Sequence, residues 1–448
     1  MNHAPRILSR FTVLLGLVAW LGAAEPCFPG AVGYGIETPG GRGGRIIQVT
    51  TLEGSGPGSL REALSTQGPR ILVFAVGGVI DLGGEDLEIS EPFITVAGQT
   101  APSPGITIIK GGLKITTHDV VVRHLRIRPG DAGKPKKSGW EPDGLTTRDQ
   151  PGAKGPTRVV IDHCSMTWAT DENLSASGPR HAGREFTSNR MTFSHCIISE
   201  GLANSTHAKG EHSKGTLIHD KVRDIAIIGN LYACNTERNP VLKPDATAVI
   251  ANNLIYNPGK RAIHTYWNTR EYEGKMETML PATLAVVGNV LWYGPDTPAD
   301  MPLIFIQNGK CIVFAQDNLA LNRDGKAAPQ VGGGPKMLKD VPFWPEGFKP
   351  WPAEQTADMV LASVGARPWD RDAVDQRIIE GVRERNGRII DSQDQVGGYP
   401  KHEPTRHELK IPADAKQVDA WLESFIPKAG SVETGNDKAS SSQTRTRK

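Results

Sequence analysis

Cysteine is scarce, with five in 448 residues. That is too few to staple a chain of this length as a disulfide scaffold. Aromatic residues make up only 6%. Charge of neither sign prevails: 51 Lys and Arg stand against 49 Asp and Glu, for a net +2. This balance excludes a chain that binds nucleic acid by bulk charge. Long hydrophobic runs are missing too. The apolar stretch from Phe11 to Leu21 has eleven residues, short of the roughly 20 that span a bilayer. What is abundant is turn chemistry. Fifty glycines and 33 prolines make up about 19% of the chain, against a usual level of roughly 12%. With 38% hydrophobic and 22% charged residues, the chain is turn-rich and globular, not disordered.

The N-terminus reads as a secretory signal. Arg6 and Arg10 give the positive region, Phe11 to Leu21 the apolar core and Gly22-Ala23-Ala24 the small residues for cleavage. Residues 1–24 are therefore expected to be removed, and the protein to be secreted, extracellular or periplasmic. Cys27 follows Glu25-Pro26 and so does not sit as a lipoprotein cysteine would.

One pattern recurs through the middle of the chain: a short β-branched run closed by a polar residue or glycine. Its copies end at Gly98, His124, His163, His195, Gly229, Asn252, Gly288 and Asp317, spaced 26, 39, 32, 34, 23, 36 and 29 residues apart. A strand-rich unit recurring at 20 to 40 residues, with no room for helices between copies, predicts a solenoid. The runs are almost wholly apolar, as parallel strands are and half-exposed sandwich strands are not. The expected fold is all-β, a right-handed parallel β-helix. From His124 on, the residue after each terminator is Leu125, Cys164, Cys196, Asn230, Asn253, Asn289 or Asn318, so four asparagines are expected to stack as an amide ladder. Gly58 to Leu64 reads as a short capped helix, with Ser59 as N-cap and Glu62 three residues on, placed to plug the first coil.

From about Gly334 the sequence turns Pro- and Trp-rich. Helical periodicity follows at Ala353–Val364, Asp370–Arg385 and Asp414–Ser424. The expected organisation is a signal peptide at 1–24, a β-helix at 25–333, a Pro/Trp-rich and helical extension at 334–430 that packs against the solenoid and covers its end, and a disordered tail at 431–448.

Three polar clusters stand on the solenoid. Glu141 and Asp143 are two residues apart, so on a strand they face the same way. Asp171 and Glu172 come one coil later. Carboxylates converging on one surface repel unless a hard cation holds them, and Ca²⁺ takes such oxygen ligands. Lys214, Arg238 and Lys243 follow within two coils, and cations beside a metal site suit a polyanion.

These residues carry a family resemblance. Val159-Val-Ile-Asp162-His163 resembles a strand motif of the pectate lyases of polysaccharide lyase family 1, with Val where Trp is usual. Arg238-x-Pro240-x-x-Lys243 resembles their Arg-x-Pro-x-x-Arg motif, with Lys for the second Arg. His212-Ser-Lys214-Gly-Thr-Leu-Ile218 is similar to the segment supplying a substrate-binding lysine, and Phe28-Pro-Gly-Ala-Val-Gly-Tyr-Gly35 resembles the mature start in a secreted bacterial branch. The likeness spans roughly residues 28 to 325. It implies a calcium-dependent lyase that cleaves polygalacturonate by β-elimination, acting as a monomer. It also implies that Arg238 is the catalytic base and that Lys214 and Lys243 grip substrate carboxylates. Glu141 and Asp143 are implied as calcium ligands with Asp171 or Glu172, and one further acidic ligand of the family has no match. Lys243 keeps the charge of an arginine but loses its bidentate fork.

Other readings fit less well. His163-Cys164 and His195-Cys196 suggest zinc, but neighbours on a strand face opposite sides. A polygalacturonase would need paired aspartates working as acid and base. A pectin lyase would not need Glu141 and Asp143, and a non-catalytic adhesin would not need Arg238.

Overall fold

The computed structural model describes residues 25–148, 154–180, 182–268, 270 and 279–427. The expected signal peptide and the tail from 431 lie outside them. Among the described residues the chain winds through three sheets of eleven, nine and ten strands, a right-handed parallel β-helix to which Thr405–Arg406 of the C-terminal part adds one antiparallel edge strand on the third sheet. One coil shows the path. Thr157–Asp162 lies in the first sheet, Ser165–Thr167 in the third and Glu172–Ala176 in the second. The chain then returns to the first sheet at Asn189–Ser194, in parallel register with Thr157–Asp162.

The recurring terminators mark one bend. His124, His163, His195, Gly229, Asn252, Gly288 and Asp317 all have φ between 48° and 68°. That left-handed conformation is open to glycine and tolerated by Asn, Asp and His, which is why those residue types close each run. Gly98 differs, since it opens a 3₁₀ turn, Gly98–Thr100.

Just past the bend, the amide ladder forms. The side-chain amide of Asn230 donates to Asn253 at 2.9 Å, Asn253 to Asn289 at 2.9 Å and Asn289 to Asn318 at 3.1 Å. Each Oδ1 also accepts a backbone N–H from the coil before. Cys164 and Cys196 continue the stack inward as free buried thiols. On the outer side His124, His163 and His195 stack with ring centres 5.2 and 4.7 Å apart, and Asp162 accepts from the last two.

Helix α1 (Leu60–Leu64) starts at Ser59, whose hydroxyl accepts from the Glu62 N–H. The Glu62 carboxylate reaches back to Gly58 N at 2.6 Å. Leu60, Ala63 and Leu64 join the core beside the first coils.

The C-terminal part packs along the side of the solenoid, not over its end. Helices α2 (Ala353–Ser363) and α3 (Ala373–Arg383) lay Val360, Leu361, Ile378 and Ile379 on the outer face of the third sheet, against Ile197, Leu231 and Leu254. Helix α4 (Val418–Glu423) returns to the first coils, where Val418 and Leu422 meet Ile71 and Val73. Arg126 and Arg128, fully buried on the third sheet, meet Asp375 of α3 and Asp372, its N-cap. Removing one partner would strand a buried charge, at a cost of about 3–5 kcal/mol. Among the described residues no helix is long and apolar enough to cross a membrane.

Candidate functional site

The charged residues form a column on the second sheet. Glu172 pairs in register with Lys214, and Lys214 bridges to Glu237. Asp143 stands two residues before Leu145, whose partner Leu174 stands two after Glu172. Asp143, Glu172, Lys214 and Glu237 therefore occupy one position in four successive coils, about 4.8 Å apart. Arg238 follows in a left-handed conformation, φ 64°. Its carbonyl accepts from Thr216 N at 2.6 Å, and a Cβ on Gly215 would lie 2.4 Å from that oxygen. Only glycine lets the two coils approach this closely.

Asp143, Asp171 and Glu172 each bring a carboxylate oxygen within 4.8 Å of the others. They line a cleft of about 390 Å³ with Asp86, Lys114 and Arg148. Burial, and then the charge of Asp171, push the Asp143 carboxyl up to about 7. Burial also pushes Asp171 upward, but the hydrogen bond from His212 and the nearby cations outweigh it and hold Asp171 below its usual range. Such a set of crowded oxygen donors, one of them short of positive charge, suits a hard divalent cation. Both Asp171 and Glu172 belong to the group.

Glu141 lines the same cleft as Asp143, but its carboxylate is not part of the close group of three. The two lie in a loop ahead of the strand Leu145–Thr147, so the alternation of a strand does not govern them. The Glu141 carboxylate instead accepts from Ala208 N at 2.8 Å and faces His207 Nδ1 at 3.5 Å.

The cations are partnered as well. The Arg238 guanidinium contacts the Glu172 carboxylate, and burial lowers its proton affinity against the opposing charges of Asp171 and Asp143. Lys214 pairs with Glu237. The Lys243 ammonium lies 4.0 Å from the centre of the Tyr266 ring.

Sequence reasoning passed over His207, His212 and Glu237. His212 Nε2 donates to Asp171 Oδ1 at 2.8 Å. Its ring stacks on His207 at 3.5 Å, and His207 Nδ1 accepts from Lys209 N. The one available signal was His212 itself, within the motif that carries Lys214.

No family model matches the chain. A probable pectate lyase C of Aspergillus terreus is 39% identical over 381 residues, 83% of this chain and 81% of the relative. A probable pectate lyase C of Emericella nidulans is 32% identical over 379 residues, 83% of this chain and 79% of the relative. A mutant pectate lyase of Bacillus subtilis shares the fold, with a TM-score of 0.53 at 14% identity, covering 77% of this chain and 98% of that structure. The curated relatives named here are fungal, so they give no support to the bacterial branch expected from the motifs.

Proposed function

The chain belongs to the pectate lyase family, and from that premise we propose a secreted, calcium-dependent lyase that cleaves polygalacturonate by β-elimination. The observation that carries this reading is the meeting of two opposed sets in one column, with Asp143, Asp171 and Glu172 beside Arg238 and Lys214.

Asp143, Asp171 and Glu172 would hold Ca²⁺. When bound, the ion withdraws charge from a substrate carboxylate. The chain supplies the rest. Lys214 and Lys243 bind neighbouring carboxylates of the polymer and set its register along the coils. Arg238 takes the proton at C5, α to a carboxylate; the C5–H electron pair forms the C4–C5 double bond, and the C4–O4 bond breaks with its pair on O4, which takes a proton from water as the leaving chain departs. An arginine is almost wholly protonated at neutral pH, because its ordinary pKa exceeds 12, and only its neutral form can take a proton. Burial works in the needed direction by disfavouring the charged form. Activity therefore rises toward alkaline pH, as the neutral fraction of Arg238 grows.

The deciding experiment is hydrolysis-free cleavage of polygalacturonate, followed by ultraviolet absorbance of the unsaturated product, with calcium and with excess chelator. Product with calcium and none with chelator is expected. Full activity under chelation overturns the calcium assignment, and absence of unsaturated product under all conditions overturns the lyase.

A further inference from the structure

Two loops build the rim of the acidic cleft. The first, residues 129–144, ends in Glu141-Pro142-Asp143. The second, residues 201–213, carries His207 and His212. They are bonded to each other: Lys137 N donates to Ser205 O and Gly139 N to Thr206 O, both at 2.9 Å. The Thr206 hydroxyl donates to Trp140 O at 2.6 Å, and Ala208 N to the Glu141 carboxylate. Both loops end on the cleft. Asp171 N donates to Pro142 O at 3.4 Å, and His212 donates to the Asp171 carboxylate.

The first loop is largely exposed from Gly133 to Gly139 and buries little apolar surface of its own. What holds both loops from outside is a stretch 187 to 270 residues away. Ala203 N donates to Ile390 O at 2.9 Å, and Asn204 N to Asp391 Oδ1 at 2.9 Å. Lys136 reaches Asp391 Oδ2 at 3.4 Å. Gln393, buried, exchanges two bonds with Asp131: its Oε1 accepts from Asp131 N at 3.1 Å, and its Nε2 donates to Oδ1 at 2.8 Å. The Ser392 hydroxyl donates to Asp131 Oδ2 at 2.6 Å. The Tyr399 hydroxyl donates to Pro129 O at 2.6 Å and accepts from Ala132 N at 3.1 Å.

We propose that the segment Ile390–Tyr399 is a positioning element of the active site, clamping both cleft loops so that Asp143 and Asp171 are held at binding distance. A side chain carried on a mobile loop loses the preorganisation that binding and catalysis require. The extension thus does more than cover the third sheet: it reaches past that sheet to the mouth of the second. The importance of the cleft rests on the function proposed above, whereas the clamp itself is a statement about these hydrogen bonds.

The test uses the full chain, with hydrogen exchange by mass spectrometry alongside polygalacturonate kinetics. In Asp391→Ala, exchange across residues 201–213 rises about fivefold, the effect of losing roughly one hydrogen bond. The rise extends to residues 170–173, while the thermal midpoint stays at the wild-type value. The fall in kcat/KM is also about fivefold and lies mainly in KM. Asp391→Asn restores both readouts, because its amide oxygen still accepts from Asn204 N. Tyr399→Phe raises exchange across residues 129–144 in the same way, and decides the matter if Asp391→Ala fails to fold. Unchanged exchange in both variants overturns the clamp whether or not the wild type cleaves polygalacturonate. Raised exchange with kcat/KM at the wild-type level overturns its role in positioning. A wild type that cleaves nothing, with raised exchange spreading to 170–173 in the variants, supports the clamp and overturns only the function.

Discussion

Two stacks run along this solenoid, and they differ in what their side chains do to one another. At the bend between the first and third sheets, Asn230, Asn253, Asn289 and Asn318 repeat one neutral group that both donates and accepts. Each residue satisfies its neighbour, so repetition stabilises. On the second sheet, Asp143, Glu172, Lys214 and Glu237 occupy an equally regular column, yet the charges there cannot all be satisfied at once. Asp143 is pushed up toward neutrality, while Arg238 and Lys214 are tied to carboxylates. The spacing of the coils is common to both. An amide ladder turns that spacing into stability, and a charged column turns it into a demand for a cation and a polyanion.

The contrast predicts that the two stacks separate activity from stability. Arg238→Ala should have the largest effect, lowering kcat by at least about a thousandfold, within the range of a lost general base, while the thermal midpoint is unchanged. Retained activity would sink the role of Arg238 as base. Asn253→Ala should do the reverse. It removes the acceptor for the Asn230 amide and a donor to Asn289, costing about 2–4 kcal/mol in chemical denaturation, with kcat intact below the transition.

A third expectation concerns pH. The folded-state pKa of Asp143, about 7, lies above the unfolded value near 4. The folded state therefore binds the proton more tightly, and stability is fully present below about pH 4 and lost as pH rises through about 7. In chelator, Asp143→Asn should flatten that limb, and calcium should raise the wild-type midpoint more at pH 8 than at pH 5. A wild type and variant with parallel stability profiles would refute the strain assigned to the column. The smallest effect belongs to Glu237→Gln. Weakening the partner of Lys214 should leave its charge freer for substrate and lower KM by no more than about threefold. An increase in KM would show that Glu237 holds Lys214 in place instead of competing for it.

Much of the architecture was legible because it repeats. Terminators at His124, His163, His195, Asn252 and Asp317 announce a left-handed bend through residue type alone, and the four asparagines announce their ladder through a constant offset from it. Asp143, Asp171, Glu172, Lys214 and Arg238 were legible through motifs, and the fold brings them into one region. Their partners were not. Glu141 turns toward Ala208, 67 positions away, and His212 reaches Asp171 across 41. The intervening loops vary in length and follow no period from which such contacts could be read.

The sequence by itself determined the bends, the parallel strands and the helical character of the extension, since each follows from local residue preference repeated along the chain. It could not decide where the extension would lie. Arg126 and Arg128 find Asp372 and Asp375 only once the third sheet exists, and Asp391 and Tyr399 meet the cleft loops only after that docking. Tertiary structure alone decided which carboxylates share the cleft and what holds them there, because charges distant in sequence interact through space, and the winding of the coils sets the distances.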